Sequence, residues 1–135
     1  MGSPCHVIVV HHSALVVEAL DVVLSIQGFT VHAAATFGQA EVLLKALGWS
    51  IAAVIPHGDM PTEPCAGTLL RMVEMTRPEA ALVVLSGRSR TEIGPLPNRA
   101  VLLREPFDRA ELLAAIVTAC DPRRPPPVAG RTVPL

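Results

Sequence analysis

With 135 residues, 50% of them hydrophobic and 17% charged, the chain is long enough for one compact core and too short for two ordinary domains. A formal net charge of −1 without any block of Lys or Arg excludes the basic surface that phosphate neutralisation needs, so nucleic acid is not an expected partner. Glu18, Asp21, Glu41, Lys45 or glycine interrupt every apolar run before it reaches the length of a bilayer crossing, so no membrane span is expected.

Val7-Ile8-Val9-Val10 is continuously apolar and β-branched, the pattern of a strand buried on both faces of a parallel sheet. Ser13 is placed to cap a helix running to about Ile26, which Gly28 ends. Thr30 to Ala33 reads as a second strand, and Thr36 with Gln39 forms a capping-box signature for a helix through about Leu47, stopped by Gly48. Ile51 to Ile55 is a third strand, followed by the turn-rich "PHGDMPTEPCAG" and a helix over about Thr68 to Thr76, before Pro78. Ala81 to Leu85 is a fourth strand. Gly87, Gly94, Pro95 and Pro97 then argue for a loop or a single turn in place of a regular helix. Val101 to Leu103 is a fifth strand, and Asp108 with Glu111 is a second capping box, opening a final helix to about Ala119. Residues 121–135, rich in Pro and Arg, are expected to be an extended, mobile tail to a domain spanning 1–120.

Strands alternating with helices, with near-continuous apolar strands, imply an α/β domain whose parallel sheet is covered on both faces. Binding chemistry in such folds sits at the carboxyl ends of the strands. Here those ends carry His11 and His12, His57, Ser86 and Gly87, and Arg104 and Glu105.

The order of elements, with "VIVVHH", "PHGDMP", "VVLSGRS" and "LLREPFDRAELLAAI", resembles the receiver domain of bacterial response regulators over residues 5–119. The resemblance implies a flavodoxin-like (βα)5 fold with five parallel strands in the order 2-1-3-4-5 and helices on both faces. The helix between the fourth and fifth strands is expected to be short or replaced by a loop. In that family an acidic pair after the first strand holds Mg²⁺, and an Asp after the third strand accepts a phosphoryl group. A Ser or Thr ends the fourth strand, and a Lys precedes Pro after the fifth. The corresponding positions here are His11 and His12, His57, Ser86 and Glu105, so only the hydroxyl is kept and no Mg²⁺ is expected. Asp59, two residues past His57, falls in the turn and points away from the pocket in the family geometry. The family's switch aromatic on the fifth strand is Leu102 here.

Several readings of the altered pocket remain open. The imidazoles of His11, His12 and His57 can simply fill it, neutral and hydrogen-bonded to backbone, Glu105 or Ser86. Alternatively, His11, His57 and Glu105 can hold Zn²⁺ or another transition metal, although adjacent residues on an extended chain point apart, which argues against joint ligation by His11 and His12. Clustered imidazoles facing a carboxylate can also respond to pH. His6 and His32 read as ordinary edge residues. Arg88 and Arg90 in "GRSR" read as a solvated loop.

Cys5, Cys65 and Cys120 are odd in number and widely spaced, so they build no disulfide framework. Cys65 has no Lys, Arg or His beside it in sequence to activate a thiolate. With no charged-then-apolar leader before the first strand, the expected location is cytoplasmic.

Leu15, Val16, Ala19, Leu20, Val23 and Leu24 give the first helix a core stripe at helical spacing, which leaves Val17, Val22 and Ile26 as a surplus apolar face. Such a face fits a protein partner, by resemblance the helical bundle of a histidine kinase or phosphotransferase, or a second copy in a homodimer. The expected function is a non-phosphorylatable signalling module in a two-component-type pathway, acting by protein–protein interaction and not as an enzyme; a metal- or pH-responsive sensor is the alternative.

Overall fold

The computed structural model describes residues 5–58, 66–76, 79–89, 93 and 95–120, the side chains of Trp49 and Cys120 excepted. Its elements in chain order are β1 (His6–Val10), α1 (Ala14–Ile26), β2 (Thr30–Ala34), α2 (Phe37–Leu47), a 3-10 turn (Gly48–Ser50), β3 (Ile51–Pro56), α3 (Ala66–Thr76), β4 (Ala81–Ser86), β5 (Val101–Arg104) and α4 (Arg109–Cys120). The strands form one parallel sheet in the order β2-β1-β3-β4-β5, the order that the resemblance implies.

Burial explains why these strands read as unbroken apolar runs. Val7 and Val9 join Ala53, Ile55, Val83 and Leu85 on one face of the sheet, where Leu20 and Leu24 of α1 and Leu112, Ala115 and Ile116 of α4 cover them. Ile8 and Val10 alternate to the other face with Val54, Leu82 and Val84, beneath Ala40 of α2 and Leu69, Leu70 and Val73 of α3. Both faces are dry, so neither register of alternation leaves a polar side.

The helix boundaries follow the sequence signals. Ser13 Oγ accepts the Val16 N–H at 3.4 Å at the start of α1, and Gly28, at φ 95°, supplies the left-handed residue that turns the chain toward β2. Thr36 Oγ1 accepts the Gln39 N–H, while Gln39 Oε1 reaches back to the N–H of Ala35, one residue earlier than in a standard capping box. Asp108 and Glu111 close the full reciprocal box, at 2.8 and 2.9 Å. The third helix begins at Ala66, two residues before the expected start, and β2, β3, β4 and β5 each extend one residue further than expected.

Between β4 and β5 there is no helix among the described residues; the Ile93 N–H donates to the Ser89 carbonyl at 3.2 Å. No helix among the described residues is long and apolar enough to cross a membrane. Asp59, Cys65, Arg90 and the 121–135 tail lie outside the described residues.

The inward stripe of α1 differs from the expected one. Leu15 is 78% exposed and Ala19 is also exposed, whereas Val17 is partly buried and packs on the core beside Val16 and Val23. The surplus face is therefore Leu15, Ala19, Val22 and Ile26, not Val17, Val22 and Ile26. Nearly every residue of "ALVVEALDVVLSI" is apolar, so periodicity offers two adjacent stripes and only packing against the core on this face of the sheet selects one.

Candidate functional site

Three strand ends bring the site together. Beyond β1, the His11 N–H donates to the Ala34 carbonyl at 3.0 Å, which holds His11 against the end of β2. Beyond β3, the His57 N–H donates to the Val10 carbonyl at 2.9 Å, and His57 bridges to Leu85 of β4. The Gly58 N–H donates to the Leu85 carbonyl at 2.6 Å, where a Cβ would lie 3.0 Å from Ser86 Cβ, so glycine permits this close turn. Past β5, the Glu105 N–H donates to the Ser86 carbonyl at 2.8 Å. Backbone hydrogen bonds thus position His11, His57 and Glu105 independently of their side chains.

The side chains converge. His57 Nε2 is 3.1 Å from Glu105 Oε1; because a carboxylate can only accept, the ring proton sits on Nε2. His11 Nε2 is 3.8 Å from the other carboxylate oxygen, too far for a hydrogen bond. His11 Nδ1 accepts the Ser13 N–H at 3.0 Å, so in the neutral ring the proton is again on Nε2. Both imidazoles therefore turn Nε2 toward one carboxylate. His11 and His57 are each 8% exposed, and their ring centroids are 4.3 Å apart.

Burial pushes the His11 pKa below its ordinary value; a positive charge on His57 would lower it further, and the Glu105 carboxylate opposes both. The cluster accordingly holds His11 neutral at neutral pH.

His12 is exposed, but its ring stacks on His11 at 5.1 Å with a 22° interplanar angle and meets His57 edge-on at 5.8 Å. The expectation that His11 and His12 point apart is corrected, because extended backbone ends at Val10 and the next two residues no longer alternate. Ser86 is fully buried and its Oγ accepts the Arg88 N–H at 2.9 Å. The hydroxyl thus organises the loop after β4.

The donor set does not suit Mg²⁺, which takes hard oxygen ligands in near-ideal octahedral geometry. Imidazoles stand at the ends of β1 and β3, and Glu105 is the one carboxylate among His11, His12, His57, Ser86 and Glu105.

A second histidine pair escaped the sequence reading. His6 Nδ1 and His32 Nε2 are 2.9 Å apart, with ring centroids 5.0 Å apart. The pairing of β1 with β2 sets Ile8 beside His32, so His6 and His32 lie diagonally on one face. The signal was present as two histidines in neighbouring strands, but only the register shows that they meet.

No protein-family model and no curated protein matches the chain. Solved structures match its fold. A response regulator receiver protein from Sinorhizobium medicae WSM419 superposes with a TM-score of 0.77 at 22% identity, over 89% of this chain and 97% of that one. The signal receiver domain of an HD domain-containing protein from Pseudomonas fluorescens Pf-5 gives 0.70 at 24%, over 85% and 93%. A CheX–CheY complex with BeF3 and Mg²⁺ from Borrelia burgdorferi gives 0.69 at 23%, over 87% and 90%. The chain has the receiver fold.

Proposed function

We propose that this chain is a receiver-like signalling module of a two-component-type pathway that acts by binding a protein partner and not by accepting a phosphoryl group. The observation that carries this reading is the pocket itself. At the strand ends where the resembling family keeps its acidic pair, phosphoacceptor and Lys stand His11 and His12, His57 and Glu105. Glu105, within 3.1 Å of His57 Nε2, adds negative charge where a transferring phosphoryl group would need a cation.

The binding surface is the outer stripe of α1. Leu15, Val22 and Ile26 are 78%, 59% and 67% exposed, and with Ala19 they recur at helical spacing along one face. An apolar stripe of this kind suits a helical partner whose own apolar ridge packs into it, such as the bundle of a histidine kinase or phosphotransferase. The CheX–CheY complex is a neighbouring fold seen bound to a second protein, which supports binding as the mode of action.

The test is a charge placed on the stripe. Val22→Glu and Ile26→Glu, both at exposed positions, should leave the fold intact by circular dichroism. They should abolish co-elution with the dimerisation bundle of a kinase from the same genome. Light scattering on the free protein tests self-association through the same stripe. Unchanged mass together with unchanged bundle binding in both variants would overturn the interaction reading.

A further inference from the structure

We infer that His11, His57 and Glu105 form a binding site for one borderline divalent transition ion of the Zn²⁺ class, a property that goes beyond the interaction reading and does not depend on it. One ligand atom from each of the three residues lies within 4.8 Å of the others. In a tetrahedral site with bonds of about 2.0–2.1 Å, ligand atoms stand roughly 3.3–3.5 Å apart. The 3.1 Å from His57 Nε2 to Glu105 and the 3.8 Å from His11 Nε2 to Glu105 bracket that spacing. Those two contacts fall on different oxygens of the carboxylate, and with the three ligand atoms spread within 4.8 Å, rotations that close the set by about an ångström admit an ion.

Two further observations point into the same space. His11 is more than nine-tenths buried, and its Nε2 has no hydrogen-bond partner among the described residues. A buried polar atom in that condition costs stability unless something satisfies it. Moreover, the backbone of each ligand is fixed by its own hydrogen bond to a neighbouring strand end, so the three donors are held in place before any ion arrives. Two imidazoles and a carboxylate are a ligand set that selects Zn²⁺ and its first-row neighbours over Mg²⁺ and Ca²⁺. Glu105 is 26% exposed in its side chain, which leaves a solvent-facing side for entry and for a water ligand.

The tautomers add a consequence. Ligation through Nε2 moves the remaining ring proton of His11 to Nδ1, where it confronts the Ser13 N–H that now donates to that atom at 3.0 Å. Ion binding must therefore break or rearrange this bond, which lies at the N-terminal cap of α1. The site is coupled to the start of the helix that carries the exposed apolar stripe.

Calorimetric titration of the full chain, stripped of metal and kept in excess Mg²⁺, with Zn²⁺ tests the site. One ion should bind per chain, and His57→Ala and Glu105→Gln should each weaken binding by at least about 100-fold, since even outer-shell partners of metal ligands are worth up to that factor. Glu105→Gln, at a partly exposed position, keeps the test valid should His57→Ala fail to fold. His6→Ala/His32→Ala should leave the affinity unchanged. With Co²⁺ in place of Zn²⁺, the visible spectrum should show nitrogen and oxygen ligation without a thiolate charge-transfer band, and the Ser13 amide resonance should shift on loading with Zn²⁺. Absence of saturable Zn²⁺ binding, binding that survives Glu105→Gln, loss only in the His6→Ala/His32→Ala variant, a thiolate band, or an unmoved Ser13 amide would each overturn the assignment.

Discussion

The backbone N–H of Ser13 donates to Nδ1 of His11 at 3.0 Å, while the Ser13 hydroxyl accepts from Val16, so the pocket imidazole and the cap of α1 form one hydrogen-bonded unit. Asn offers an acceptor oxygen near the place of Nδ1, whereas Leu offers none. His11→Asn should thus keep the cap, and His11→Leu should cost about 1 kcal/mol more in urea unfolding, the net value of one hydrogen bond. Equal stability of the two variants would show that the bond contributes nothing.

Acetyl phosphate with Mg²⁺ should leave the protein unmodified. The metal that neutralises a transferring phosphoryl group finds imidazoles at His11 and His57, and the Glu105 carboxylate repels the donor. Intact mass measured at neutral pH, where both acyl and imidazole phosphates survive, checks this. A stoichiometric gain of one phosphoryl group refutes it.

The His6–His32 pair should make stability depend on pH. At 2.9 Å one ring nitrogen donates and the other accepts, an arrangement that a proton on each ring destroys. Burial first, and the His6 charge second, hold the His32 pKa below its ordinary 6.5. The unfolded chain then takes up a proton near pH 6.5 that the folded chain resists. Stability is full above that pH and declines as the pH falls through it. Between about pH 8 and about pH 5 the urea midpoint should drop, and less in His32→Val, a change that suits an edge strand. His11, whose pKa burial also lowers, contributes the same decline to both proteins, so the difference between them reports the His6–His32 pair. An identical drop in His32→Val would remove the pair as its source.

These features differ in how far the sequence discloses them. The strands and caps are legible because each depends on short-range chemistry: Val7 to Val10 can be buried on both faces, Thr36 with Gln39 and Asp108 with Glu111 can close caps, and Gly28 can take a positive φ. The convergence of His11, His57 and Glu105 is legible only through the sheet order, which places three distant residues at the carboxyl ends of β1, β3 and β5 along one edge of the sheet. The His6–His32 contact depends on register, and the outward stripe of α1 depends on which of two apolar faces packs. Neither leaves a local mark. Val17 and Leu15 exchange roles for that reason.

Gly67 and Gly38 separate two reasons for glycine in a helix. A Cβ on Gly67, in the first turn of α3, would run into the Pro95 carbonyl, a backbone atom that cannot rotate away. Pro95, ahead of β5, therefore lies directly against α3, and the missing side chain allows the approach. Gly38, in the first turn of α2, meets nothing closer than Thr36 Oγ1 at 3.9 Å, an ordinary contact. Gly38→Ala should stabilise the protein by about 0.5–1 kcal/mol through backbone entropy and helix propensity. Gly67→Ala gains the same propensity but must push the Pro95 segment aside, a strain of about 1–3 kcal/mol that should leave it net destabilised. Denaturant unfolding of the two variants should thus shift the midpoint in opposite directions. Because Pro95 precedes β5 and Glu105 follows it, the displacement also tests whether this segment fixes the carboxylate. Gly67→Ala should broaden the His57 ring resonances, and Gly38→Ala should leave them sharp. Matching shifts in the two midpoints would mean that the Pro95 segment yields freely and that α3 does not define the position of β5.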